Sequence, residues 1–212
     1  MKPQLGLLSL ITIVATVFMP VQLNWTPPFS FSIVQALAQT RDAQKAEAER
    51  LQKQAGRQLQ SFQFQETLKS LQQALTIYRK IGDKTGEAKI LYFIGGVYHS
   101  QDQYTKALDF FQQALLIVRE VGDYQGEGSI LEKIGEIYES LGQYTKALEF
   151  YQQALFLSRK LSYRAKEWSI LNTIAEIYKS LGQYSKALEF SQQSLAISRQ
   201  LSDHESEAVA LN

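Results

Sequence analysis

The stretch Ile134–Leu155, IGEIYESLGQYTKALEFYQQAL, returns forty residues later as Ile174–Leu195, IAEIYKSLGQYSKALEFSQQSL. Its centre, Leu141-Gly142-Gln143-Tyr144, repeats as Leu181-Gly182-Gln183-Tyr184, and in weaker form as Gln101-Asp102-Gln103-Tyr104 and Gln63-Phe64. Between the blocks that open at Ile130 and Ile170 about two thirds of the positions agree, so the chain reads as stacked copies of one unit. Each copy predicts two helices. Ile130, Leu131, Ile134, Ile137, Tyr138 and Leu141 fall on one helical stripe, and Tyr144, Ala147, Leu148, Tyr151, Ala154 and Leu155 form a second. Neither stripe alternates with the period of a strand.

The punctuation agrees with this division. Gly142 and Gly182 stand where a left-handed residue ends the first helix, with Asp102 as a tolerable substitute. Links this short make neighbouring helices antiparallel. The second helix ends at Gly82 or Gly122, and Asp83 or Asp123 then caps the next. In the last two junctions Gly becomes Ser; Ser202 with Glu205 has capping-box spacing and predicts a further helix start. The units expected are 39–82, 83–122, 123–162 and 163–202, with 203–212 opening a truncated further repeat. In the first, Arg41 to Gln60 is rich in Ala, Gln, Lys and Glu, with Gln58 where later copies have Tyr98, Tyr138 and Tyr178. A terminal repeat has one face in water, so a polar capping repeat is expected there.

Residues 3–40 carry no charged side chain. Lys2 precedes an apolar run from Leu5 to Met19, Pro20 stops it, and Ala36-Leu37-Ala38 is a small-x-small site before Gln39. This matches a Sec-type signal peptide over 1–38, with export to the periplasm or the outside of the cell as the expectation. An uncleaved N-terminal membrane anchor is the alternative, and no membrane insertion is expected after cleavage.

Composition removes several classes. With 22 Lys+Arg against 21 Asp+Glu there is no field to draw nucleic acid. No Cys means no disulfide, thiolate metal site or cysteine nucleophile. His99 and His204 are far apart in the repeat register, so no metal site is expected. Gly126-Glu127-Gly128 follows no strand and lacks the lysine of a phosphate loop. No cofactor and no catalytic residue is expected, and the chain reads as a non-enzyme.

The units resemble tetratricopeptide repeats in a long form of about forty residues. The first helix carries Leu91, Ile94-Gly95 and Tyr98; Leu131, Ile134-Gly135 and Tyr138; Leu171, Ile174-Ala175 and Tyr178. The second carries Ala107, Phe111, Ala114 and Ala147, Tyr151, Ala154. Leu replaces the first Trp of the family pattern, and Ser191 and Ser194 replace the aromatic and the Ala of the last copy. The resemblance implies an all-α, right-handed superhelical solenoid of antiparallel helix pairs, its inner wall made by the first helix of each unit. Interior Gly costs about 1 kcal/mol against Ala, so Gly95, Gly135 and Ala175 imply close helix approach, with Ala107, Ala147 and Ala187 as the expected partners.

The resemblance also places the partner-binding groove. It implies Lys89, Tyr92, Phe93, Gly96 and His99 in the second unit; Ser129, Glu132, Lys133, Glu136 and Glu139 in the third; Ser169, Asn172, Thr173, Glu176 and Lys179 in the fourth. Tyr92 and Phe93 beside Gly96 could form an apolar pocket for a peptide side chain. Asn172 could bond an extended backbone. Glu132, Glu136 and Glu139 argue against capture of an acidic peptide tail and for a basic or polar segment. The function expected is a scaffold for a peptide or protein partner. Two others stay open: a module that forms a weak homo-oligomer through its open C-terminal repeat, and the regulatory part of a longer protein whose effector, such as a caspase-like CHAT domain, lies beyond residue 212.

Overall fold

The computed structural model describes residues 28–210, and the side-chain surroundings of 37–201. Most of the leader read over 1–38 therefore lies outside the described residues. The chain divides into a unit Met1–Thr40 and a unit Arg41–Asn212. The described residues form eight helices and no strand: α1 Pro28–Gln60, α2 Phe64–Ile81, α3 Lys84–His99, α4 Tyr104–Val121, α5 Tyr124–Ser140, α6 Tyr144–Lys160, α7 Arg164–Ser180 and α8 Tyr184–Ala210. Pairs α3–α4, α5–α6 and α7–α8 pack along their lengths, and α2–α3, α4–α5 and α6–α7 join one pair to the next. This is an all-α helical repeat solenoid.

The short links set this arrangement. Gly142 and Gly182 adopt φ of 68° and 70°, and Asp102 does the same at 56°. Gly82 and Gly122 end α2 and α4 at φ of 68° and 73°. Two further left-handed residues carry side chains, Phe62 at 57° and Ser162 at 54°. Asp83 and Asp123 then accept from the Gly86 and Gly126 amides at 2.8 and 2.9 Å. α7 starts at Arg164, and its N-cap residue, Tyr163, makes no side-chain cap hydrogen bond.

Each junction from one pair to the next is also clasped by charge. The Nε of Arg79, Arg119 and Arg159 donates to Glu87, Glu127 and Glu167, at 2.8, 2.7 and 2.8 Å. Arg164 adds a second bond to Glu167 at 2.8 Å. Burial alone would raise the Glu167 pKa, but hydrogen bonds from Arg159 and Arg164 and their charge hold it below the usual carboxylate range.

Within each internal pair the packing is aromatic. Tyr98 stacks on Phe110, Tyr138 on Phe150 and Tyr178 on Phe190, with centroids 5.4–5.5 Å apart. Lys106, Lys146 and Lys186 lie 5.1–5.2 Å from the same three tyrosine rings.

Three expectations need correction. The residues that face Gly95 and Gly135 are rings: a Cβ on Gly95 would stand 2.8 Å from Phe111, and one on Gly135 3.1 Å from Tyr151. Ala107, Ala147 and Ala187 are buried, but one helical turn earlier. The capping box at Ser202 does not begin a helix, because α8 runs unbroken to Ala210. No Gly or Pro interrupts Leu201 to Ala210, so nothing local opposes helix continuation. Finally, α1 starts at Pro28, upstream of the first repeat. Proline suits the first helical turn, where its missing N–H has no partner to lose.

Candidate functional site

Side chains that are neither core nor clasp face outward from α3, α5 and α7, and the helix register decides which ones. On α3, Ile90, Leu91, Ile94 and Val97 are buried. That leaves Lys89 exposed, Tyr92 half-buried and Phe93 exposed on the neighbouring stripe. Tyr92 is fixed from two sides, its ring 5.7 Å from Phe111 of α4 and 5.8 Å from Phe93. Phe93 is in turn held at the surface.

Phe93 borders two hollows. One, of about 190 Å³, is lined by Ala55, Gly56 and Leu59 of α1, Leu71 of α2, and Phe93 and Val97. The other, of about 290 Å³, lies between α3 and α5 and is lined by Lys89, Tyr92, Phe93, Val118, Ser129 and Ile130 among others. An enclosed apolar cavity of roughly 150 Å³ takes a benzene-sized group, so each hollow has room for one large side chain. The contribution of α1 was not foreseen: its polar composition masks a face carrying Ala55, Gly56 and Leu59.

The other wall positions are engaged. Lys166 of α7 donates to both carboxylate oxygens of Glu132, at 2.9 and 3.0 Å, tying α5 to α7. Lys133 pairs with Glu136 at 2.6 Å. The Tyr151 hydroxyl donates to Glu139 at 2.9 Å; burial and the adjacent carboxylates push that phenol far above its ordinary pKa. The acidic row read from α5 is thus spent on internal partners. Asn172 accepts from the buried Ser194 hydroxyl at 2.7 Å, which joins α7 to α8 and gives the serine of the last copy a role. Lys179 pairs with Glu176 at 3.2 Å, and His99 leans on Tyr104 at 5.9 Å. Of the ten candidates the structure brings Lys89, Tyr92 and Phe93 together around one feature; the remaining seven are spread along the wall.

Among the described residues, no group of three His, Asp or Glu is placed to hold a metal ion, no buried side-chain nitrogen or oxygen lacks a partner, and no helix is long and apolar enough to cross a membrane. Around Phe93 the wall offers shape, apolar surface, the Lys89 side chain and the Asp123 carboxylate.

At the C-terminal side, Leu188 and Leu195 of α8 are 60% and 51% exposed. Their equivalents one unit earlier, Leu148 and Leu155, are 8% and 5% exposed. The difference arises because α7 follows and covers α6, whereas no described helix follows α8.

Comparison with known proteins agrees with this architecture. A family model described as tetratricopeptide repeat matches residues 58–115 and 86–160, and a second of the same description matches 169–206. Among solved structures, aspartyl phosphate phosphatase F from Bacillus subtilis is 21% identical with a TM-score of 0.71, covering 76% of this chain and 42% of that one. A Rap protein in complex with competence and sporulation factor is 22% identical, TM-score 0.65, over 76% of this chain and 45% of that one. The tetratricopeptide-repeat sensor protein PH0952 of the STAND ATPases, from Pyrococcus horikoshii, gives 22%, 0.68, 77% and 25%. The chain therefore spans less than half the length of each of these structures. No curated protein matches the sequence.

Proposed function

Because the chain belongs to the tetratricopeptide repeat family, we propose that it is a non-catalytic scaffold that holds a segment of another polypeptide on its concave wall, around Tyr92 and Phe93. The observation that carries this reading is the placement of Phe93, a large apolar side chain kept exposed between two hollows by the Tyr92 ring behind it. A preformed wall of this kind loses little conformational entropy on docking, since stacked helices already fix its side chains. The Rap protein similar in fold over 76% of the chain is complexed with competence and sporulation factor, which supports a partner-binding role for this fold. Residues 3–40, free of charged side chains behind Lys2, support export, so the partner is sought outside the cytoplasm.

The test is affinity capture from the extracytoplasmic fraction with wild type, Phe93→Ser and, as a control for general stickiness, Leu116→Ser. Leu116 on α4 is 70% exposed and lines neither hollow. A partner retained by wild type and Leu116→Ser and lost with Phe93→Ser is the expected result. Equal recovery on all three would count against the wall as the docking site.

A second reading is favoured by the uncovered face of α8. Leu188 and Leu195 present the surface that a following helix buries elsewhere in the stack, which suits self-association or a further repeat in a longer protein. Light scattering of the chain across concentrations addresses the first of these. A mass that rises with concentration, and stays monomeric in Leu188→Glu/Leu195→Glu, is the outcome expected of a dimer through α8.

A further inference from the structure

The uncovered face of α8 carries a row with a symmetry of its own. Tyr184, Leu188, Ser191, Leu195 and Arg199 follow one another at helical spacing and share one stripe of the helix. Tyr184 is 71% exposed, and the other four are exposed with it. Leu188 and Leu195 stand equally far from the point between Ser191 and Gln192, and so do Tyr184 and Arg199. At that midpoint the stripe carries the small Ser191, where α4 and α6 carry the rings of Phe111 and Tyr151. The row has no carboxylate, and its one charge lies at an end.

Such a row, turned end for end, is its own complement. We propose that α8 is the site of a two-fold dimer, in which α8 of a second copy lies antiparallel on this row and crosses it at Ser191. The proposal rests on the reading of α8 as a self-association face and adds which surface of the second copy is met and in which direction. Each Leu188 then meets Leu195 of the partner subunit, so both leucines of both copies are buried. Each Tyr184 ring meets Arg199 of the partner subunit, a cation against an aromatic face. The two Arg199 charges end about 22 Å apart along the helix axis, at 1.5 Å per residue, and do not oppose each other. Serine at the crossing lets the helix axes approach closely, since the side chains at the contact set that distance.

This chain could also cover α8 by end-to-end stacking of α1, and α1 is built against that. Ile90, Ile94 and Val97 of α3 are buried, whereas the equivalent positions forty residues earlier on α1 are Arg50, Gln54 and Arg57. Arg50 donates to Glu47 at 2.7 Å, an exposed pair that stacking would have to strip of water. A face that meets only itself closes after two copies. The row is short beside a standard interface of roughly 800 Å² per partner, so association is expected at about 0.1–1 mM.

The chain has no cysteine, so single cysteines introduced into the full chain report position directly. Under mild oxidation Ser191→Cys is expected to form a disulfide-linked dimer, because the crossing brings the two positions within the roughly 4.4–6.8 Å that a disulfide spans between Cα atoms. Leu188→Cys and Leu195→Cys are expected to crosslink when mixed and not singly, since like positions stand about 10 Å apart along the axis. Leu116→Cys, exposed on α4, sets the background from collision. In sedimentation equilibrium, Leu188→Glu and Leu195→Lys are each expected to weaken the dimer at least about tenfold. The double variant should recover most of that loss, because each glutamate then faces the partner's lysine. A chain monomeric to about 1 mM would overturn both the self-association reading and the dimer, leaving the face to a further helix. Association with no Ser191→Cys crosslink above the Leu116→Cys background would keep self-association and overturn the antiparallel arrangement. A mass that climbs past the dimer would assign α8 to end-to-end stacking.

Discussion

The first helix pair and the third solve the same packing problem with different chemistry. In α5–α6 the helices approach through Gly135, with the Tyr151 ring in the space a methyl would need, and Tyr138 stacks on Phe150 at 5.4 Å. In α1–α2 the equivalent positions hold Ala55 and Leu71, and Gln58 accepts from the Ser70 hydroxyl at 2.8 Å where the stacked rings would be. Glycine goes with a ring and alanine with a smaller side chain, so the two positions trade volume from one pair to the other. The terminal pair, with one side toward water, is tied by polar contacts that tolerate solvent. The internal pair, enclosed by neighbours, relies on ring area that water would weaken.

The largest effect should come from exchanging these solutions. Gly135→Ala adds a methyl 3.1 Å from the Tyr151 ring and is expected to lower stability by about 1 kcal/mol, overpacking exceeding the helix-propensity gain of alanine. Tyr151→Leu alone should cost about 2 kcal/mol, through lost area and an unpaired Glu139. In the Tyr151→Leu background the sign of Gly135→Ala should reverse, because the pair now matches Ala55 with Leu71. Urea midpoints of the four proteins measure this cycle, and strictly additive losses would show that the two positions do not share one space.

A smaller and more local effect separates the two pairs by pH. Asp83 joins α1 to α3 through Lys45 at 3.0 Å. Burial acts to raise its pKa, but the Gly86 amide and Lys45 outweigh that and hold it below the ordinary value. A carboxyl depressed in the folded state gives stability that is present above its unfolded pKa, about 3.9, and lost as pH falls through the folded value. Acid should therefore loosen α1 first, while the rings of α5–α6 do not titrate over that range. Amide protection factors, corrected for intrinsic exchange and taken between pH 5 and 3, should fall in α1 before α5. Asp83→Asn, which keeps a capping side chain, should already lower α1 protection at pH 5 and flatten its pH dependence. Equal loss in both helices would refute the contrast.

How much of this was legible in the sequence follows from the range of each interaction. The helix pairs, the left-handed Asp102 and the Asp83 and Asp123 caps are written in residues within a turn of one another, and a periodic pattern reads them directly. The ring against Gly135 was assigned to Ala147 because both lie on the inward stripe of α6; only the reach of a side chain distinguishes them. The row of Glu132, Glu136 and Glu139 looked free because Lys166 lies 34 residues from Glu132, on a different pair. The clasps do have a sequence signature: Arg79, Arg119 and Arg159 recur at the repeat spacing, each eight residues before a glutamate. Tyr92 and Phe93 stood out by residue type alone. The hollow on the α1 side did not, since a polar helix does not advertise a face of Ala55, Gly56 and Leu59.

The arginine–glutamate clasp has a consequence for how such a protein changes length. Removing residues 83–122 would join Gly82 to Asp123, place Arg79 eight positions before Glu127, and bring Tyr78 beneath Gly126 as it now lies beneath Gly86. The first two couplings are thus the same fitting, glycine, aspartate cap and arginine–glutamate clasp alike, and the third keeps the clasp with Ser162 and Tyr163 in place of the Gly and Asp. Excision of the forty-residue module between the first two leaves no mismatched seam, so extent along the axis is free to vary while the joint itself stays fixed.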